Sequence, residues 1–120
     1  MYKLMQVKNI SMVDTLEFFT VSDQNNFFNN ISIGVTFNDY FPPFSKYKLK
    51  IDVNDLKDSN GQLIPVNYCM LESNIPTGHS PNYSYKRYYY FIDGIEYINE
   101  DVVSINLVMD TIQSFYHYIK

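Results

Sequence analysis

Lys46-Tyr47-Lys48-Leu49-Lys50-Ile51-Asp52-Val53 decides the fold class, because apolar and charged side chains change places at every step. A β-strand turns successive side chains to opposite faces, so this order buries Tyr47, Leu49, Ile51 and Val53 and leaves Lys46, Lys48 and Lys50 in water. A helix would scatter the same residues around its circumference. The lysine row reads as a solvated face, or as a charged edge that discourages unwanted strand pairing.

The same period extends outward. Ile31, Ile33, Val35 and Phe37 alternate with Ser32, Gly34 and Thr36, which predicts a strand ending at the turn Asn38-Asp39. Pro42-Pro43 then forbids a continuous ladder, since proline donates no backbone hydrogen bond. Downstream, Asp58-Ser59-Asn60-Gly61 predicts a tight turn that uses the positive φ Asn and Gly accept. A third strand is expected over about residues 65–72, followed by a loop from Ser73 to Ser84 punctuated by Pro76, Gly78 and Pro81.

The densest apolar run is Tyr88-Tyr89-Tyr90-Phe91-Ile92, and it continues through Asp93-Gly94 to Ile95-Glu96-Tyr97-Ile98. Asp93-Gly94 is either a two-residue hairpin turn or a bulge in one long strand. After the turn Asn99-Glu100-Asp101, Val103, Ile105, Leu107 and Met109 alternate with polar residues and predict the last clear strand. Near the N-terminus, Tyr2 to Val7 reads as a further strand, and Ser22 as the cap of a helical turn through Asp23 to Phe28. The segment Thr111 to Lys120 is apolar on several sides, which fits a short helix on the sheet or contacts with another chain. The expected fold is therefore all-β: an antiparallel β-sandwich or partly closed β-barrel of about five or six strands, with one short N-terminal helical turn, in a single domain spanning 1–120.

Composition supports this and narrows function. Twelve Tyr and nine Phe occur in 120 residues with no Trp, and Ala, the best helix former, is absent. A domain this small cannot bury so many rings completely. The surplus points to a surface that meets another subunit. A net charge of −4 and a pI near 4.9 speak against a phosphate-binding surface. Lys86-Arg87 before the tyrosine run could grip nucleic acid, but as an isolated basic pair it reads better as the start of a strand.

No stretch is apolar for long enough to predict a membrane span, and Met1 is followed by mixed polar sequence rather than a secretory leader. Cys69 is single and reads as a buried strand residue. His79 and His117 lack metal-ligand spacing, no glycine-rich phosphate loop is present, and Asp52 with Asp55 and Glu100 with Asp101 lack the rhythm of a calcium loop. No catalytic residue, cofactor or metal is expected, and the chain is read as not an enzyme.

Tyr88 to Ile92, then Ile95-Glu96-Tyr97-Ile98-Asn99, a strand, and Met109-Asp110-Thr111-Ile112-Gln113 together resemble the N-terminal, tube-forming part of the distal tail-knob protein of small short-tailed phages with protein-primed genomes. That family carries an aromatic Phe-Ile strand, a Glu-Tyr-x-Asn turn, and an ending with Asp and Gln spaced as Asp110 and Gln113 are. Asp14 to Phe18, Gln24 to Phe28, Ile51 to Val53 and Asn67 to Met70 follow the family order more loosely, so the likeness spans nearly the whole chain. Gly94 and a longer loop at Ser73 to Ser84 depart from the family. Its members also run much further, which would make this chain a fragment, a split form or a freestanding relative.

The resemblance implies a structural virion tail component, made in the host cytoplasm, whose ring or tube, hexameric in that family, contributes to the distal channel for genome delivery. Its partners would be copies of itself and other tail or collar proteins, with DNA only as passing cargo. Tyr88, Tyr89, Tyr90, Phe91 and Ile92 would pack core and interface, together with Glu96, Tyr97 and Asn99. Asp110 and Gln113 would make buried polar contacts that fix the chain after the last strand. The rival reading is a monomeric β-sandwich module that recognises a glycan or peptide through surface Tyr and Asn.

Overall fold

The computed structural model describes residues 1–8, 20–77 and 84–115. In chain order the elements are strand β1 (Tyr2–Met5), helix α1 (Val21–Asn29), β2 (Gly34–Phe37), β3 (Lys46–Asp52), a 3-10 turn (Val53–Leu56), β4 (Tyr68–Thr77), β5 (Ser84–Tyr97), β6 (Val102–Met109) and helix α2 (Thr111–Ser114). All the strands join one antiparallel sheet in the order β2-β1-β4-β5-β6-β3, which curls into a half-barrel. The all-β expectation holds in its partly closed form, with β2 and β3 as the two edges.

The tyrosine run is continuous because its strand is buried on both sides. Tyr90, with Cys69 and Leu71 of β4 and Leu49, Ile51, Val103, Ile105 and Leu107, packs on a first face closed by Phe41 and Leu56. Tyr89, with Tyr68 and Met70 of β4 and Met5 of β1, packs on the second face beneath Phe28 of α1. Phe28 lies 4.6 Å from the Tyr89 ring and 5.7 Å from the Tyr68 ring. Successive residues of one strand thus fill opposite cores, and no polar residue is needed between them.

Asp93 resolves the Asp93-Gly94 alternative. Ile92 pairs with Leu107 and Gly94 with Asn106, so Asp93 is an extra residue, a bulge within one long strand rather than a hairpin turn. Because side chains alternate, this insertion puts Ile95 and Tyr97 on the first face, opposite Ile105 and Val103, and Glu96 on the second, opposite Ser104.

Four expectations need correction. The strand forecast over 31–37 covers only Gly34–Phe37: α1 runs to Asn29, and Ile31 is spent turning out of it, with Ile33 42% exposed. Thr20, not Ser22, caps α1. Thr20 has the extended backbone a cap requires, and its Oγ1 accepts from the Asp23 amide at 3.0 Å. The third strand starts at Tyr68 and runs on to Thr77, into the forecast loop, because a register shift between Glu72 and Pro76 accommodates a proline that has no donor. Gly78 and Pro81 of that loop lie outside the described residues, as do Asp14 to Phe18 and residues 116–120. The strand read from Tyr2 to Val7 ends at Met5, and Asn67 takes over its pairing: its Oδ1 accepts from the Val7 amide (2.8 Å) and its Nδ2 donates to the Val7 carbonyl (2.9 Å).

The turn at Asp58–Gly61 forms as read. Gly61 has φ 77°, and Asp58 Oδ1 accepts from the Asn60 and Gln62 amides. Gly34 serves a different need, since a Cβ there would sit 2.8 Å from the Leu4 carbonyl oxygen. Gly34→Ala must push β2 from β1 and should cost about 1–3 kcal/mol, read as a lower midpoint in thermal unfolding. An unchanged midpoint would contradict the close approach.

Candidate interaction surface

Asp110 ends β6 and caps α2, and both roles follow from its acceptor-only carboxylate. Oδ2 accepts from the Tyr68 hydroxyl at 2.7 Å, and Oδ1 accepts from the Gln113 amide at 3.2 Å. Gln113 is equally buried. Its Oε1 and its carbonyl both accept from Gln24 Nε2 of α1, at 2.9 and 3.0 Å. The Ser114 hydroxyl accepts from the Tyr89 amide at 2.8 Å and donates to the Tyr89 carbonyl. Asp110 and Gln113 therefore act together, stapling α2 to β4, β5 and α1 across the second face. Burial pushes the Asp110 carboxyl above its usual value, although the bonds from Tyr68, Gln113 and Ile112 pull it down.

The basic pair before the tyrosine run is engaged internally. Lys86 Nζ donates to the Ser114 carbonyl and lies over the Tyr88 and Phe115 rings, 5.4 and 4.8 Å from their centroids. Arg87 pairs with Glu72 at 2.9 Å and donates to the Asn29 side chain. Lys3 reaches the end of α1, donating to the Phe28 and Ile31 carbonyls at 3.1 and 3.0 Å, where a helix C-terminus favours a cation. Lys3, Lys86 and Arg87 are thus held by contacts within the fold.

Tyr89 and Tyr90 are core residues, and Tyr88, Phe91 and Ile92 are half-buried against the same cores. Glu96, Tyr97 and Asn99 occupy different ground. Glu96 and Tyr97 belong to an overhang of β5 and Asn99 to the turn after it, because β4 begins opposite Phe91 and the Ile92 amide makes the last bond on that side, to the carbonyl of Asn67 just before β4. Beyond that point, among the described residues, β5 has a strand neighbour only in β6. Ile95, Tyr97 and Ile98 are 38%, 62% and 51% exposed there. Asn99 holds the hairpin tip, its Oδ1 accepting from the Asp101 and Val102 amides.

Residues 3–120 match the family described as Caudoviral major tail protein N-terminus. The chain belongs to this caudoviral tail family. It is a virion tail component, of a structural family, as the resemblance implied. The structure of the bacteriophage C1 tail knob protein, gp12, has the same fold, with a TM-score of 0.69 at 22% identity over 96% of this chain and 22% of the C1 protein. This tail chain therefore spans about 22% of the length of that knob protein. Among curated proteins none matches it.

For catalytic chemistry the described residues offer little. None of them form a group of three or more His, Cys, Asp or Glu able to hold a metal, and no helix among them is long and apolar enough to cross a membrane. His79 and His117 lie outside the described residues. Cys69 is fully buried, and burial raises its thiol pKa, which disfavours the nucleophilic thiolate. Asp52 spends its carboxylate on capping the 3-10 turn, accepting from the Asn54 amide.

Sequence reading gave no individual role to Lys3, Gln24, Asn67 or Tyr68. A lysine between Tyr2 and Leu4, and a glutamine four residues before Phe28 on one helix face, were the available signals.

Asp110→Ala strips the acceptor from a buried hydroxyl and the cap from α2, and should cost about 1–3 kcal/mol. A double-mutant cycle with Tyr68→Phe should show coupling, and strict additivity would refute the contact. A carboxyl raised in the folded state contributes stability below its ordinary value of 3.8 and loses it as pH rises through the folded value. The melting temperature of the parent minus that of Asp110→Asn should therefore fall as pH increases from that value. A difference that grows with pH would contradict the burial.

Proposed function

We propose that this tail chain builds a ring or tube segment of the virion tail, associating with copies of itself around a channel through which the genome passes during delivery. The observation that carries the reading is the open sheet. Among the described residues it is curled but unclosed, with edges at β2 and β3 and an overhanging hairpin whose Ile95, Tyr97 and Ile98 are exposed. Exposed apolar groups beside unpaired backbone favour association, and head-to-tail contacts close into rings when the rotation permits. β2, only four residues long, is a poor template for pairing.

The charge balance supports a conduit. An acidic chain, with its Lys86 and Arg87 engaged internally, does not hold phosphate and lets DNA slide. Neighbouring tail or collar proteins would cap the ends of such a ring.

Size-exclusion chromatography with light scattering, followed by negative-stain imaging, tests the reading. A closed oligomer with a central hole is expected. A chain that stays monomeric at high concentration, above all one that binds a glycan, would overturn it.

A further inference from the structure

The lysine row of β3 has so far no task, and neither has the carboxylate of Glu96. Both lie at open backbone edges whose geometry can be worked out from the ladder. The Ile98 amide donates to Val102, while Val53 donates to Asp101 and Met109 to Ser45. An antiparallel strand points alternate residues to alternate neighbours. The even residues of β6 therefore bond to β5 and the odd ones to β3. It follows that Lys46, Lys48 and Lys50 aim their own amides and carbonyls away from the sheet, and that Ile95 and Tyr97 do the same on the far side of the hairpin.

Side-chain faces restrict how two such edges can meet. The lysines and Glu96 lie on the second face, opposite Val108, Asn106 and Ser104, whereas Ile95 and Tyr97 lie on the first. In an antiparallel pair, residues that exchange bonds stand directly opposite each other and share a face. Lys48 would then share a face with Ile95 or Tyr97, and the charged and apolar surfaces would be crossed. In a parallel pair, a residue bonds to the two neighbours of the one it opposes. Lys48 can accept from Tyr97 and donate to Ile95 while standing opposite Glu96. On the first face, Tyr47 then meets Ile95 and Leu49 meets Tyr97. Both faces match at once.

Ring symmetry also accommodates parallel pairing. β3 and β5 each run antiparallel to β6, so they point the same way within one copy. Copies related by rotation about a ring axis that runs along these strands therefore bring β3 of one to a parallel β5 of the next.

We propose that β3 of one copy pairs in parallel with the overhang Asp93–Tyr97 of β5 in a second copy, setting the lysine row, centred on Lys48, against Glu96. This rests on the ring reading and specifies its joint. The exposed ion pair adds little affinity by itself and instead fixes register and direction, while backbone bonds and the cover over Ile95 and Tyr97 hold the copies together. Asp93 gains a purpose as well, since without the bulge Glu96 would fall on the opposite face.

Charge exchange tests the joint. Lys48→Glu alone and Glu96→Lys alone should each raise the dissociation constant several-fold, because every joint then carries like charges. Mixing the two chains should restore assembly, since alternating copies place opposite charges at every joint. In a second arm, Lys48→Cys and Glu96→Cys are made in separate chains and treated with a short bis-maleimide, the native Cys69 being fully buried. Dimers should form in the mixture and in neither chain alone.

If the parent assembles yet neither mixing rescue nor the mixed cross-link is seen, with cysteines at Lys46 and Lys50 failing too, this joint is wrong and the ring stands. If the parent itself is monomeric, the ring reading falls and the joint with it.

Discussion

Burial of one strand on both faces governs this structure. Tyr88 to Ile92 can run without a polar residue only because Tyr90 faces the core closed by Phe41 and Leu56, and Tyr89 the core closed by Phe28. Each large ring removed from water contributes on the order of 2 kcal/mol or more, so half of β5 is anchored more firmly than its hydrogen bonds alone would make it. The buried polar set of Asp110, Gln113, Gln24 and Tyr68 is a consequence. Helices cover the second face, and their ends need partners that water cannot reach.

The other half of β5 obeys the opposite rule. Past Asp93 it loses β4, exposes apolar side chains and turns alternate backbone groups outward. One strand thus joins a rigid interior to an adhesive margin, with a single inserted residue between them. In the proposed ring this division lets the chain be stable alone and incomplete at its rim.

Much of this was legible in the sequence. Lys46 to Val53 announced its strand because one face is wet and the other dry, and the segment from Val102 to Met109 did so because Ser104 and Asn106 alternate with Val103, Ile105 and Leu107, although neither of its faces is open to water. The tyrosine run was harder, since burial on both faces erases the period of two. Asp93-Gly94 fits a hairpin turn as well as a bulge, and only pairing with β6 decides between them. Thr20 and Ser22 are both good caps, and the choice rests on which one has extended backbone. Asp110 and Gln113 stood out through family resemblance alone, because their partners Tyr68 and Gln24 are distant in sequence. Lys3 illustrates the same limit: its charge lies on a buried face only because the end of α1 comes to meet it.

Amide hydrogen exchange in the dissociated chain tests the central division of β5 most directly. Tyr90 and Ile92, bonded into β4, should exchange orders of magnitude more slowly than Ile95 and Tyr97, whose amides point to the open edge, while Glu96 is protected by β6. Even protection from Tyr90 through Tyr97 in the single chain would contradict the account.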